Sequence, residues 1–478
     1  MHPTWCRHVA VMGSLVALSF GIAACGGGSS TTTSATTPAS TASVAKQGVV
    51  TIKMTIVGDP GNPSVGVQQT FAAAPENETQ AGAAGVAEAQ EVEAQHAALT
   101  QEAKQNGAKS TAVKPPVGPG IYKNCSKAPP APPTCLTVGG VKYTYGIGEF
   151  EITVSQYVSF LNTVDPNGTN PHELYFSNMS PTTWAKYGSI RYSSSAGTGQ
   201  HYSIAYPEWT NMPFNFTNFR RAARFVNSLT NGTVLSRTKS TSGKFQYMTY
   251  TVRLSPKTER GMYTLADRET TRTRSSGFVL PSNDEWVKAA YYDPSHGGTD
   301  SYWRYTTGPF NPPNPSKLNP GSGEVVNSST QPLATYNPND PNSKLDTPGS
   351  PPGAAPTWCP PQAGREACES VYPVHLPKAK YLSTYEANLS PIGEALTPSP
   401  WGTYDQGGNT VEWTDTIAPQ PAGHHFLRVW RYLHGGVANA PAWQIGISAF
   451  GYIDQDNKLV DKTYPWQGFR VGVVGNLE

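Results

Sequence analysis

The six cysteines have the widest chemical range of any residue type in this chain, and their spacing separates them into groups. Cys25 ends the string Ile22-Ala23-Ala24-Cys25, behind Arg7, His8 and an apolar run from Val9 to Ala24. A short apolar run with a positive flank and a small-residue end is the layout of a secretory signal, and it is too short for a spanning helix. Small residues directly before a cysteine, with Gly26-Gly27-Gly28 after it, look like a lipobox, in which Cys25 is acylated and becomes the mature N-terminus. The reading places the chain in a bacterial cell envelope, extracytoplasmic and held to the membrane by the lipid on Cys25. Gly26 is not an aspartate, so nothing argues for inner-membrane retention, and the expected location is the outer membrane or cell surface.

Cys125, Cys135, Cys359 and Cys368 form two local pairs inside proline-rich stretches. An even number of cysteines beyond a secretory signal fits an oxidising compartment and disulfides. The pairings 125–135 and 359–368 are favoured, with the other two connectivities left open. Zinc is a poor rival, because neither spacing has the short gap or histidine partners of a zinc site. The neighbouring His424 and His425 point apart on any regular element and read as an exposed loop pair. The sequence contains no nucleophile elbow, phosphate loop or metalloprotease helix motif.

The elements that must position these residues begin after a tether. Residues 25–48 are mostly Gly, Ser, Thr and Ala, too poor in large apolar side chains to offset the entropy of ordering. Charged residues are 14% of the chain and the net charge is +2, which excludes a nucleic-acid binder and a long charged helical array. Glycine and proline are abundant at 46 and 43 residues, so long irregular segments are expected.

Val49 to Val57 alternates branched apolar with polar residues and runs into Asp59-Pro60-Gly61-Asn62-Pro63, a strand and a turn. From about 72 to 136 the texture changes. Val86 to Gln105 is Ala-, Glu- and Gln-rich with a thin apolar stripe and stops at Asn106-Gly107, which predicts an inserted, exposed helical arm. Three amphipathic helices follow. One opens with a capping box at Thr153 and Gln156, a second lines up Phe219, Ala222, Ala223, Val226 and Leu229, and a third opens with a capping box at Ser282 and Glu285. A last strand is expected over 468–474, with Phe469, Val471 and Val473 on one face. The sum is an α+β chain, irregular and low in regular secondary structure.

Five strings in order carry a resemblance. They are Ile147-Gly148-Glu149-Phe150-Glu151-Ile152-Thr153-Val154-Ser155-Gln156-Tyr157, Ala222-Ala223-Arg224-Phe225-Val226-Asn227, Leu280-Pro281-Ser282-Asn283-Asp284-Glu285-Trp286, Gly407-Gly408-Asn409-Thr410-Val411-Glu412-Trp413 and Gly468-Phe469-Arg470-Val471. Together they resemble successive blocks of the formylglycine-generating enzyme (sulfatase-modifying factor) family over about 330 residues. The resemblance implies a C-type-lectin-like mixed fold over 49–478, with residues 72–136 inserted.

Active members of that family hold copper(I) on two cysteines after an Arg-Gly-Gly-Ser-Trp block. Here the block reads His434-Gly435-Gly436-Val437-Ala438, and the cysteine positions hold Ala440 and Ile445. Copper(I) selects soft thiolate or thioether ligands, and no Cys or Met follows Gly436, so the copper chemistry has no ligands. His434, Ala440 and Ile445 therefore mark a vestigial cleft. The family's structural calcium site maps onto Asp405 and Glu412 through their carboxylates and Gly408 and Thr410 through their carbonyls, all hard oxygen donors. The bland alternative is that Asp405 caps a turn and Glu412 pairs with an arginine such as Arg470. A second calcium site, opening at Ala387-Asn388-Leu389, lacks an evident acidic partner. Trp184, Trp209, Trp303, Trp401, Trp443 and Trp466 are either core or the aromatic faces of a groove. The expected function is a tethered, non-catalytic binding or scaffold module for a protein, peptide or glycan. The alternative is a divergent oxidoreductase of the same family acting on a peptide or thiol.

Overall fold

A computed structural model describes residues 48–68, 121–122, 135–184, 187–296, 301–309, 313–319, 322–327, 332–336, 389–418, 429–438, 445–447, 449–455, 466–475 and 477. These residues lie within one compact unit, Ala42–Glu478. The signal, Cys25, the tether, most of the 72–136 segment with its predicted helix, Cys125, Cys359, Cys368, His424, His425, Ala440 and Trp443 lie outside the described residues.

The strands in chain order are β1 (Val49–Val57), β2 (Val65–Gln68), β3 (Ile121–Tyr122), β4 (Cys135–Val138), β5 (Tyr145–Gly148), β6 (Ile190–Tyr192), β7 (Tyr202–Ile204), β8 (Thr233–Ser242), β9 (Phe245–Arg253), β10 (Gly277–Val279), β11 (Asn314–Pro315), β12 (Leu333–Ala334), β13 (Val411–Ala418), β14 (Trp430–His434), β15 (Phe450–Asp454), β16 (Gln467–Gly468) and β17 (Gly472–Val474). The helices are α1 (Val154–Val164), α2 (Phe219–Thr230) and α3 (Asn283–Tyr291). Among the described residues sheets dominate, helices are few and irregular loops join them, a mixed α+β fold.

Strand β1 lies inside a six-stranded sheet of order β10-β17-β5-β1-β9-β8, antiparallel to both its neighbours. Its alternation buries Val50, Ile52 and Met54 on the face that receives the helices. Both predicted capping boxes are formed. Thr153 Oγ1 accepts the Gln156 N–H at 3.2 Å while Gln156 Oε1 accepts the Thr153 N–H at 2.9 Å. Ser282 and Glu285 exchange the equivalent bonds at 3.2 and 2.7 Å. Each box satisfies backbone donors that a helix start leaves without partners.

Helix α1 sends Tyr157, Phe160 and Leu161 into the main core, where Tyr157 stacks on Phe214 and Phe160 meets Phe225 edge-on. Burying such side chains stabilises by about 1.5–3 kcal/mol each. Helix α2 packs on β10 and β13, and α3 on β13. Strand β13 belongs to a second sheet of order β15-β14-β13-β16.

The expected last strand is divided. Gln467–Gly468 pairs parallel with β13, whereas Gly472–Val474 pairs with β10 and β5 in the other sheet. Phe469, Arg470 and Val471 cross between the sheets fully buried, so the alternation marks a core crossover rather than one half-exposed strand. The C-terminal end of the 72–136 segment is also strand: β3 and β4 flank β2 in a three-stranded sheet.

Candidate functional site

Arg470 is the point on which the sequence blocks converge. Its guanidinium donates to both Glu412 oxygens at 2.6 Å, to the Gly148 carbonyl at 2.9 Å and to the Tyr404 carbonyl at 2.9 Å. The Arg470 and Glu412 side chains are both 0% exposed. Glu412 Oε2 also accepts the Trp286 indole N–H at 2.8 Å, which ties α3 to the start of β13. In the same block, Thr410 N–H and Oγ1 donate to Glu151 Oε1 at 3.1 and 2.5 Å, and Asn409 Nδ2 donates to Glu151 Oε2 at 3.0 Å. The turn that brings these groups together has left-handed backbone at Asp405 and Asn409, with φ of 59° and 57°. At Gly408, φ is 106° and an added Cβ would lie 2.3 Å from the Thr335 carbonyl, so only glycine fits.

Three buried carboxylates thus surround one guanidinium. Burial pushes the Glu151 carboxyl well above its usual range, with Asp405 and Glu412 adding repulsion. Burial likewise raises Asp405 to about 6. Burial alone would lower Arg470, but Glu412, with Glu151 and Asp405 adding to it, offsets the burial and holds the guanidinium above its usual value. Asp405 Oδ2 accepts the Gly393 N–H at 2.5 Å, whereas Asp405 Oδ1 is buried without a hydrogen-bond partner.

The calcium ligands implied by the sequence divide accordingly. Glu412 is engaged on both oxygens by Arg470 and Trp286, while Asp405 keeps one buried oxygen free to meet a cation. No group of three or more His, Cys, Asp or Glu residues able to hold a metal occurs among the described residues. The three carboxylates have separate partners: Glu412 holds Arg470 and Trp286, Glu151 holds Asn409 and Thr410, and Asp405 holds Gly393 N–H.

Of the vestigial-cleft residues, His434 and Ile445 are described, and both are packed inside. His434, at the end of β14, is 1% exposed and stacks on Trp286 with ring centroids 4.8 Å apart. Its Nε2–H donates to Asn283 Oδ1. Burial lowers its pKa to about 3, so the imidazole is neutral at physiological pH. Ile445 is 1% exposed and clusters with Tyr305, Ala334 and Tyr336.

A second network reaches α3 at Glu285, the residue before Trp286. Arg272 donates to both Glu285 oxygens at 2.9 and 2.7 Å and to Asp415 at 2.5 Å. Tyr263 and Tyr143 hydroxyls complete it at 2.8 Å to Asp415 and 2.6 Å to Glu285. Sequence reading missed Glu151 as a hub and missed Arg272 entirely. Glu151 sits in a recognised block, so its placement was signalled, but Arg272 lies in the hydrophilic string Glu269-Thr270-Thr271-Arg272-Thr273-Arg274, which reads as surface. Of the tryptophans weighed as groove faces, Trp209 belongs to the main core, and Trp184 and Trp401 are partly buried and pack against that core.

No family model matches the chain, and no curated protein matches it. Among solved structures, one titled "Crystal Structure of CarF" is similar at 14% identity and a TM-score of 0.31, over 70% of this chain and 87% of that one. A second, "Treponema denticola variable protein 1", is similar at 18% identity and a TM-score of 0.30, over 72% and 88% of the two chains. These scores describe a distant structural relationship at most.

Proposed function

We propose that this chain is a lipid-anchored extracytoplasmic module with a formylglycine-generating-enzyme-like, C-type-lectin-like domain that binds or scaffolds rather than catalyses. The observation that supports this reading is the packing of Ile445 among Tyr305, Ala334 and Tyr336, at a position where an oxidase of that family presents a soft metal ligand, together with the burial of the nearby block residue His434 against Trp286. The block residues serve instead as an interior junction that joins both sheets to α3. Calcium, as a stabiliser, would be held by the free oxygen of Asp405 with the carbonyls of Gly408 and Thr410, leaving Glu412 to Arg470. A divalent cation there would balance part of the negative surplus.

The test is oxygen uptake by the mature chain with copper(I) and a cysteine-containing peptide, alongside metal analysis by mass spectrometry. The reading expects no oxygen uptake and no stoichiometric copper or iron. Turnover of the peptide, or stoichiometric copper, would overturn it.

A further inference from the structure

Beyond the buried junction, the loop after β9 forms a cleft of about 580 Å³ lined by His172, Asn231, Pro256, Lys257, Thr258, Glu259 and Arg260. Its walls are fixed from beneath by two asparagines one helical turn apart at the end of α2. Asn227 Nδ2 donates to the carbonyls of Thr258 and Tyr263 at 2.6 and 2.8 Å. Asn231 Nδ2 donates to the carbonyls of Lys257 and Arg260 at 2.8 and 2.6 Å. Thr258 is buried between them, and a Cβ at Gly261 would lie 2.7 Å from Asn227 Oδ1, so the loop sits tight on the helix.

The charges in this cleft do not cancel. Glu259 is gripped by Arg224, at 2.7 Å from Nε and 3.0 Å from Nη2, so that acid is already neutralised. Lys257 and Arg260 are exposed, and neither side chain has an ion-pair partner among the described residues. One clamped loop therefore presents an ammonium and a guanidinium three residues apart, with the His172 imidazole on the cleft wall 3.7 Å from Glu259 Oε1. A guanidinium fork and an ammonium on a preordered backbone are the groups that recognise oxyanions, and the ordering entropy of the loop is already met by the asparagine clamp.

We propose that this cleft is an oxyanion-binding site, taking a phosphate group that is either free or carried on an anionic polymer. It lies apart from the Arg470 junction and stands whether or not the domain is catalytic.

The test is isothermal titration of the full mature chain at low salt with inorganic phosphate and, separately, with inorganic polyphosphate. Wild type should bind at least one of them. Binding of phosphate itself assigns the free anion, and binding of polyphosphate alone assigns the polymer. The double variant Lys257→Ala/Arg260→Ala should bind about tenfold more weakly or worse with an unchanged melting temperature. Asn231→Ala, which keeps the charges and frees the loop, should weaken binding several-fold. Lys239→Ala/Lys244→Ala, a charge-matched change on and beside β8, should leave binding unchanged. The proposal is overturned if neither probe binds wild type, if the Lys257/Arg260 variant binds as tightly as wild type, or if the β8 control weakens binding equally.

Discussion

Arg470 and Arg272 each gather carboxylates from separate elements around one guanidinium, yet the two clusters differ in balance and in depth. Arg272 meets Glu285 and Asp415, keeps 20% of its side chain exposed, and shares its acceptor oxygens with tyrosine hydroxyls, Tyr263 on Asp415 Oδ2 and Tyr143 on Glu285 Oε1. There Arg272 holds Glu285 below its usual carboxylate range despite burial, although burial still leaves Asp415 above its own. Arg470 is fully buried, faces Glu151, Asp405 and Glu412, and leaves Asp405 Oδ1 without a partner. The comparison teaches that burying charge fixes loops only where counter-charge and hydrogen bonds match it; where they do not, the surplus becomes a cost sensitive to protons and cations.

The largest effect should come from Arg470→Met, which strands Glu412 and Glu151 in the interior. A loss of about 3–5 kcal/mol is expected in urea denaturation, enough to leave little folded protein. Arg272→Met should cost less, about 2 kcal/mol, because water reaches that site and Glu285 retains Ser282 N–H and Tyr143. Equal losses in the two variants would erase the distinction drawn here.

Asp405→Asn should act in the opposite direction. Its folded pKa is raised to about 6, so the folded state binds more protons than the unfolded chain between roughly pH 4 and 6. The stability from that group is present at low pH and lost as pH rises through 6. In EDTA at pH 7.5 the variant should therefore be more stable than wild type by about 1–2 kcal/mol and should lose part of the pH slope. A destabilised variant with an unchanged slope would show that Asp405 is already balanced.

Much of this architecture was legible in the sequence because its signals are local. The alternation of Val49–Val57 and the capping boxes at Thr153 and Ser282 depend on neighbours within a few residues. The crossover at Phe469-Arg470-Val471 was misread as a single strand, since apolar alternation looks the same whether the intervening arginine meets water or a buried glutamate. Glu412 pairs with Arg470, the alternative that the residue types left open beside calcium. Arg272 was invisible because a partly buried charge network is defined by partners up to 143 residues away, which no local pattern encodes.

The central claim is that the block residues form closed interior packing, with His434 at its edge in place of an open cleft residue. The direct measurement is a nuclear magnetic resonance titration of the histidine ring signals in the mature chain, with His434 assigned by His434→Gln. Burial that lowers its pKa to about 3 predicts an imidazole still neutral at pH 5, with stability full above about pH 6.5 and falling as pH drops from there toward 3. Half-protonation near pH 6.5 would mean a solvated ring, an open cleft, and an account that is wrong at its centre.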